Sequence, residues 1–419
     1  MRKSGFITAF IISGLVIPFL SSCSDINPVD QKFFNEDGQL LSNSDTVRAF
    51  KLLPPQKIKY YVEVSGSMNG FFRSNRPTDF KADVWQIMSY FSGIQSEITI
   101  LTDKGNIGSK ESLNSFKTKM NTGAFVSGSS TQVPIMLKSI MEDINPEEGE
   151  IAILISDMKY DPVGAAAPEV LMTQYSSDVS EIIGKYNNAV CLVGATSSYL
   201  DKTGVEITNN SPYYYLIIGN DENVAFFRNS ISTFLINNEH FIDNIESGFD
   251  YGKVDYTFGI PKNCWKMDKN NPTFIGYDPS ESDTCTISLK VSLENYRWST
   301  ADSLYFNNAL KIKALYGSSV LVDNIKYEIK NITGKQLIRK ATATVDLKVF
   351  KMPMEADVIE WTLELPDLDI TKFTPYMGAT SPSDVYKTYS FESFIKGIFY
   401  GGVVNKTLKP NYILISKNS

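Results

Sequence analysis

The sequence predicts an α/β fold over residues 56–240, a mainly parallel sheet with flanking helices, followed by a β-rich, sandwich-like region over 250–419. Two observations carry that prediction. In the first region, continuous apolar runs of strand length alternate with segments whose apolar residues recur at helical spacing, the pattern of a sheet buried on both faces. In the second, short runs alternate apolar and polar residues with period two, as half-buried antiparallel strands do. The length agrees: 419 residues exceed one ordinary core, and 42% hydrophobic with 21% charged residues is a globular composition.

The elements follow in order. "KIKYYVEVS" (57–65) is a strand, and "FKADVWQIMSYFSGI" (80–94) is a helix with Val84, Ile87, Met88 and Phe91 on one face. "EITILTD" (97–103) gives a second strand and "SKESLNSFKTKM" (109–120) a second helix, with Ser109 as its cap. "TQVPIMLKSIMEDI" (131–144) reads as a helix, because Pro134 falls near the first turn, where a missing N–H is tolerated. "EIAILISD" (150–157) is an apolar strand that stops at an acid. A long helix over 168–185 leads to the strand "AVCLVGA" (189–195). A polar insertion at 197–211 then precedes "YYYLIIGN" (213–220) and the helix "ENVAFFRNSISTFLI" (222–236). In such a sheet, ligands are expected at the carboxyl ends of the strands.

After about residue 245 the period changes. "CTISLKVSLEN" (285–295), "ALKIKALYG" (309–317), "ATATVDLKVF" (341–350) and "DVIEWTLELPD" (357–367) are alternating strands. One late helix, "SFESFIKGIFYGG" (390–402), precedes the strand-like "NYILISK" (411–417).

Residues 1–22 have the layout of a secretory leader: Arg2 and Lys3, a short apolar run from Phe6 to Leu20 broken by Gly14 and Pro18, then Leu20-Ser21-Ser22-Cys23. The ending resembles a bacterial lipobox. That resemblance implies an acylated Cys23 as the first mature residue and a chain lipid-anchored in the cell envelope, at the outer membrane, facing the periplasm or the exterior. Residues 23–55 lack a period and carry turn formers, as a tether does. Cys191 reads as a small buried hydrophobe. Cys264 and Cys285 flank a polar, proline-containing segment and, in an oxidising compartment, either pair as a disulfide or stay apart. A net charge of −7 with no Lys/Arg cluster argues against nucleic acid as the main partner.

Three sequence-distant spots fall at strand carboxyl ends: Glu63-Val64-Ser65-Gly66-Ser67-Met68, Thr131 after the loop "SGSS", and Asp157 in "AILISDMKYD". Together they resemble the von Willebrand factor A domain and its metal-ion-dependent adhesion site, whose first motif is Asp-x-Ser-x-Ser, completed by a threonine loop and an aspartate after an apolar strand. The resemblance covers residues 56–240 and implies a von Willebrand factor A-like, Rossmann-like fold. It also implies a site for Mg²⁺ (or Mn²⁺ or Ca²⁺) made by Glu63, Ser65, Ser67, Thr131 and Asp157. The ion would grip a carboxylate of a protein ligand, in adhesion or in assembly of an envelope complex. The chemistry is coherent by itself: Mg²⁺ takes about six oxygens in an octahedron, and uncharged hydroxyls leave the site net positive toward an incoming acid.

One position departs from the family: Glu63 stands where aspartate is usual. A longer arm serves if the acid acts through a bridging water and weakens binding if it must ligate directly. The alternative is a structural lipoprotein whose hydroxyls only cap loops and helix starts around a metal-free A-like domain. Phe71 and Phe72, in the loop "NGFFRSNRPTDF" (69–80), either rim the site for a partner or pack beneath the loop. No catalytic residue is assigned. The one histidine, His240, falls at the end of the last helix of the region, and neither G-x-S-x-G nor a phosphate-loop G-K-[ST] is present.

Overall fold

Residues 58–63 are buried without interruption, which places their strand, β1 (Lys57–Glu63), at the centre of a sheet covered on both faces. The computed structural model describes residues 33, 50–101, 107–125, 131–160, 168–259, 265–267, 274–280, 282–296, 303–332, 337–353, 355–365, 367–402 and 408–417. The expectations for the leader, for Cys23 and for a Cys264–Cys285 bond lie outside these residues; Cys285 itself is buried.

After β1 come α1 (Asp79–Tyr90), β2 (Gln95–Leu101), β3 (Ile107–Glu111), α2 (Leu113–Thr122), α3 (Val133–Asp143), β4 (Glu150–Ser156) and α4 (Pro168–Tyr186). Then follow β5 (Ala189–Leu200), β6 (Glu206–Gly219), α5 (Asp221–Asn237) and β7 (Phe241–Ser247). The seven strands lie in the order β3-β2-β1-β4-β6-β5-β7. β1 pairs in parallel with β2 and with β4, so these three strands, two of which lead into the site, meet the expectation of parallel pairing. Outward from them the pairing is antiparallel and the sheet is mixed.

The reason is the segment 197–211, which is not an insertion. β5 and β6 continue through it as a hairpin closed by a short turn, in which Asp201 Oδ1 accepts the Val205 N–H at 2.9 Å. So short a link cannot cross over, so β6 must run against β5. A second correction concerns the cap of α2. Ser109 lies in β3, and Ser112 caps the helix by accepting the Ser115 N–H at 3.2 Å.

α1, α2 and α5 cover one face of this sheet, packing Val84, Phe116 and Phe227 against Tyr60 and Val62. α3 and α4 cover the other, with Leu137 and Val179 against Tyr61 and Leu216. That second face also carries α7 (Phe391–Gly401), from the far end of the chain, through Phe394 and Ile398. The expected boundary near residues 240–250 is therefore crossed by packing. α7 approaches α4 closely: a Cβ on Gly397 would lie 2.7 Å from Val179 Cβ and 2.9 Å from the Ser176 carbonyl oxygen. Gly397→Ala should therefore lower stability by about 1–3 kcal/mol despite alanine's better helix propensity. An unchanged urea midpoint would show that the two helices can part cheaply.

The remaining elements are β8 (Tyr256–Phe258), β9 (Trp265–Met267), β10 (Phe274–Tyr277), β11 (Thr284–Ser292), α6 (Ser303–Ala309), β12 (Leu310–Ala314), β13 (Ser319–Ile332), β14 (Ile338–Phe350), β15 (Ala356–Leu363) and β16 (Asn411–Lys417). They build a sheet β12-β15-β16-β10-β9 and a sheet β13-β14-β11-β8. Ile287, Leu289 and Leu347 of one meet Ile359, Trp361 and Ile413 of the other in a shared core, as a sandwich requires. α5 ties this region to the first sheet: buried Arg228 pairs with Glu246 and donates to the Asn295 carbonyl. No helix among the described residues is long and apolar enough to cross a membrane.

Candidate functional site

Parallel pairing of β1 with β4 fixes the centre of the site. Val62 lies opposite Ile155, so Glu63 at the end of β1 and Asp157 just past β4 reach the same sheet edge. Both are fully buried. Glu63 Oε1 accepts the Thr131 hydroxyl at 2.8 Å, and Oε2 accepts the Ser156 hydroxyl. The Ser65 hydroxyl also bonds to Glu63. Ser65 Oγ lies 2.9 Å from Ser67 Oγ. All five expected residues are thus brought to one edge from three stretches of sequence. Burial first, and then the charge of Asp157, push the Glu63 carboxyl up to about 7, against the pull of its hydroxyl donors.

Asp157 faces a partner that the sequence did not announce. The Lys159 ammonium sits 3.2 Å from Asp157 Oδ2, with the two side chains 4% and 0% exposed. It is close but not aligned to donate, and Asp157 Oδ2 has no hydrogen-bond partner among the described residues. The turn between them is held in an uncommon form: Met158 takes φ 53°, and its N–H bonds Ser156 Oγ at 2.8 Å. Thr388, from the C-terminal region, donates to the Asp157 carbonyl at 3.2 Å and lies 3.0 Å from the Tyr214 hydroxyl.

These groups are largely withdrawn from the surface. Of the five, only Ser67 is half-buried, and Gly66 and Asn69 beside it are exposed. The site therefore opens along the Gly66–Asn69 turn. The Tyr199 hydroxyl holds that turn by donating to the Ser67 carbonyl at 2.9 Å. Gly70 is required there, because a Cβ would fall 2.3 Å from the Tyr199 ring. Phe71 and Phe72 do not rim the site. They are 0% and 4% exposed and pack on Phe80, Phe71 tilted and Phe72 edge-on, since an apolar side chain beside the core gains more from it than from water. Residues 102–106, 126–130 and 161–167 lie outside the described residues. His240 pairs with Asp83 of α1, Nδ1 to Oδ2 at 2.7 Å.

The donor set is all oxygen: two carboxylates and three hydroxyls, which suits a hard cation. Asp157 Oδ2, unpartnered among the described residues, is an atom such an ion would satisfy, and among those residues two buried acids meet one poorly aligned ammonium and are short of positive charge. No group of three or more His, Cys, Asp or Glu suited to a metal occurs among the described residues, so hydroxyls would have to supply the remaining ligands. Sequence reasoning missed Ser156, Lys159 and Thr388. Ser156 could have been found as the neighbour of Asp157 on a strand that ends in polar residues; Lys159 and Thr388 carried no signal. No protein-family model, no curated protein and no solved structure matches this chain.

Proposed function

We propose that the chain is a lipid-anchored protein of a bacterial envelope that binds a protein ligand through a divalent cation at the carboxyl edge of β1 and β4. The observation that carries this reading is the gathering of Ser65 and Thr131 on Glu63, with Ser67 beside Ser65, next to Asp157, whose buried Oδ2 has no hydrogen-bond partner among the described residues. Ser65, Ser67 and Thr131 would hold the ion, with Glu63 and Asp157 supplying the negative charge. Bound there, the cation would present an open position to a partner's carboxylate, for adhesion or complex assembly. The order of motifs resembling a von Willebrand factor A domain, and the lipobox-like leader, support the same reading.

A second reading has its own observation. Lys159 already places a cation beside Asp157, which favours a structural lipoprotein with a metal-free A-like domain. Millimolar Mg²⁺ or Mn²⁺ separates the two, because an ion that binds only the native state raises the melting temperature. Ser67→Ala is the variant of choice: its hydroxyl is half-buried, whereas Asp157→Ala would disturb a buried ion pair. We expect a rise of a few degrees with either ion, abolished by Ser67→Ala, and tighter binding in Glu63→Asp. Calorimetry that finds no binding to wild type or to Glu63→Asp would assign the chain to the second reading.

A further inference from the structure

We infer that β13 is a self-association strand: two copies of this chain pair antiparallel, edge to edge, about Tyr327, and join their four-stranded sheets into one. β13 runs Ser319–Ile332 and bonds β14 except at a bulge between Val322 and Asn324, while its other edge pairs with no strand among the described residues. So long an unpaired edge, with Leu321, Val322 and Ile329 at 42%, 39% and 45% exposed, is a template for another strand.

The occupant follows from the side chains. Tyr327 points to the inner face, where its hydroxyl donates to Asn307 at 3.1 Å and its ring meets Phe306 at 5.7 Å. Ile325 and Ile329 share that face by the period of two, and Lys326, Glu328 and Lys330 are exposed on the other. Paired residues in an antiparallel ladder must share a face, so a two-fold axis passes through a residue. Centred on Lys326, the strand sets lysine opposite lysine. Centred on Glu328, it sets glutamate opposite glutamate and Lys326 opposite Lys330. Centred on Tyr327, Lys326 lies opposite Glu328 on both sides, Asn324 opposite Lys330, and Ile325 of one copy covers the exposed Ile329 of the other. Centred on Ile329, the strand again sets Glu328 opposite Lys330, its neighbour at 2.7 Å within the strand, but leaves Ile325 opposite a position beyond the strand's end; of these registers the one about Tyr327 matches charge and apolar surface over the longest stretch.

Sedimentation equilibrium of the full chain in detergent tests this. The wild type should form a dimer. Lys326→Glu sets glutamate opposite Glu328 twice, and Glu328→Lys sets lysine opposite Lys326 twice, so each should weaken dimerisation about tenfold or more. The double exchange Lys326→Glu with Glu328→Lys restores both pairs and should recover the wild-type constant to within about threefold. All four side chains concerned are exposed, so the fold should survive; circular dichroism checks it. A monomer at all concentrations to about 100 μM overturns the proposal. So does a dimer indifferent to the single exchanges, or capture of another protein's strand in place of a second copy.

Discussion

Lys159→Met should destabilise the chain in chelator by about 3–5 kcal/mol, the size expected when one partner of a buried ion pair is removed and the other charge is left behind. Methionine keeps the length and apolar stem of lysine, so the loss comes from charge rather than packing. The ammonium is the one cation paired with Asp157 among the described residues, and both side chains are at most 4% exposed. Asp157 and Glu63 would then face each other with no positive charge between them. Urea denaturation reads the loss. Adding Asp157→Asn to Lys159→Met should restore most of it, since removing both charges removes the uncompensated one. The single variant also bears on the cation reading: with the competing ammonium gone, Mg²⁺ should stabilise Lys159→Met more than wild type. If Lys159→Met unfolds at the wild-type midpoint, the ammonium is not what balances these acids.

The central strands and their order of appearance were legible because continuous apolar runs ending in acids have few other homes than a covered sheet. What the sequence could not convey was direction. Tyr213, Tyr214 and Tyr215 read as a buried strand, but whether it lies parallel or antiparallel depends on whether 197–211 is a loop or a hairpin. Its polar residues suit both, because the outer part of the hairpin is exposed. The edge strand β13 was missed for a related reason: a strand with one solvated edge tolerates Asp323, Asn324 and Glu328 where a central strand would not. At the site, the hydroxyls and acids were visible because they stand in a motif. Lys159 was not, since nothing local separates a lysine that turns inward from one that is solvated. Thr388 is separated from Asp157 by 231 positions, and its segment is brought there by long-range contacts such as α7 on α4 and the Ser211 hydroxyl donating to the Val385 carbonyl at 2.6 Å.

Glu63 should make the stability of the metal-free chain fall as pH rises from about 4.5 to about 7, the window between its ordinary value and the value it takes when buried beside Asp157. The sign follows from proton counting. A carboxyl raised in the folded state binds more protons there than in the unfolded chain, so unfolding releases protons in that window and raising the pH favours it. The effect is absent below the window, grows by at most about 1.4 kcal/mol per pH unit within it, and is fully present above it. Glu63→Gln should abolish the dependence. The Thr131 and Ser156 hydroxyls that now donate to the carboxylate can rotate to suit an amide, so the variant keeps its contacts without the charge. The quantity to measure is the difference in unfolding free energy between wild type and Glu63→Gln at pH 5 and pH 8 in chelator. Titrating groups remote from the site, such as Asp83 beside His240, cancel in that difference. We expect the glutamine variant to gain on wild type by a few kcal/mol between those two pH values. If it instead loses ground as pH rises, the folded state favours the ionised Glu63, and the field of Lys159 outweighs both burial and Asp157.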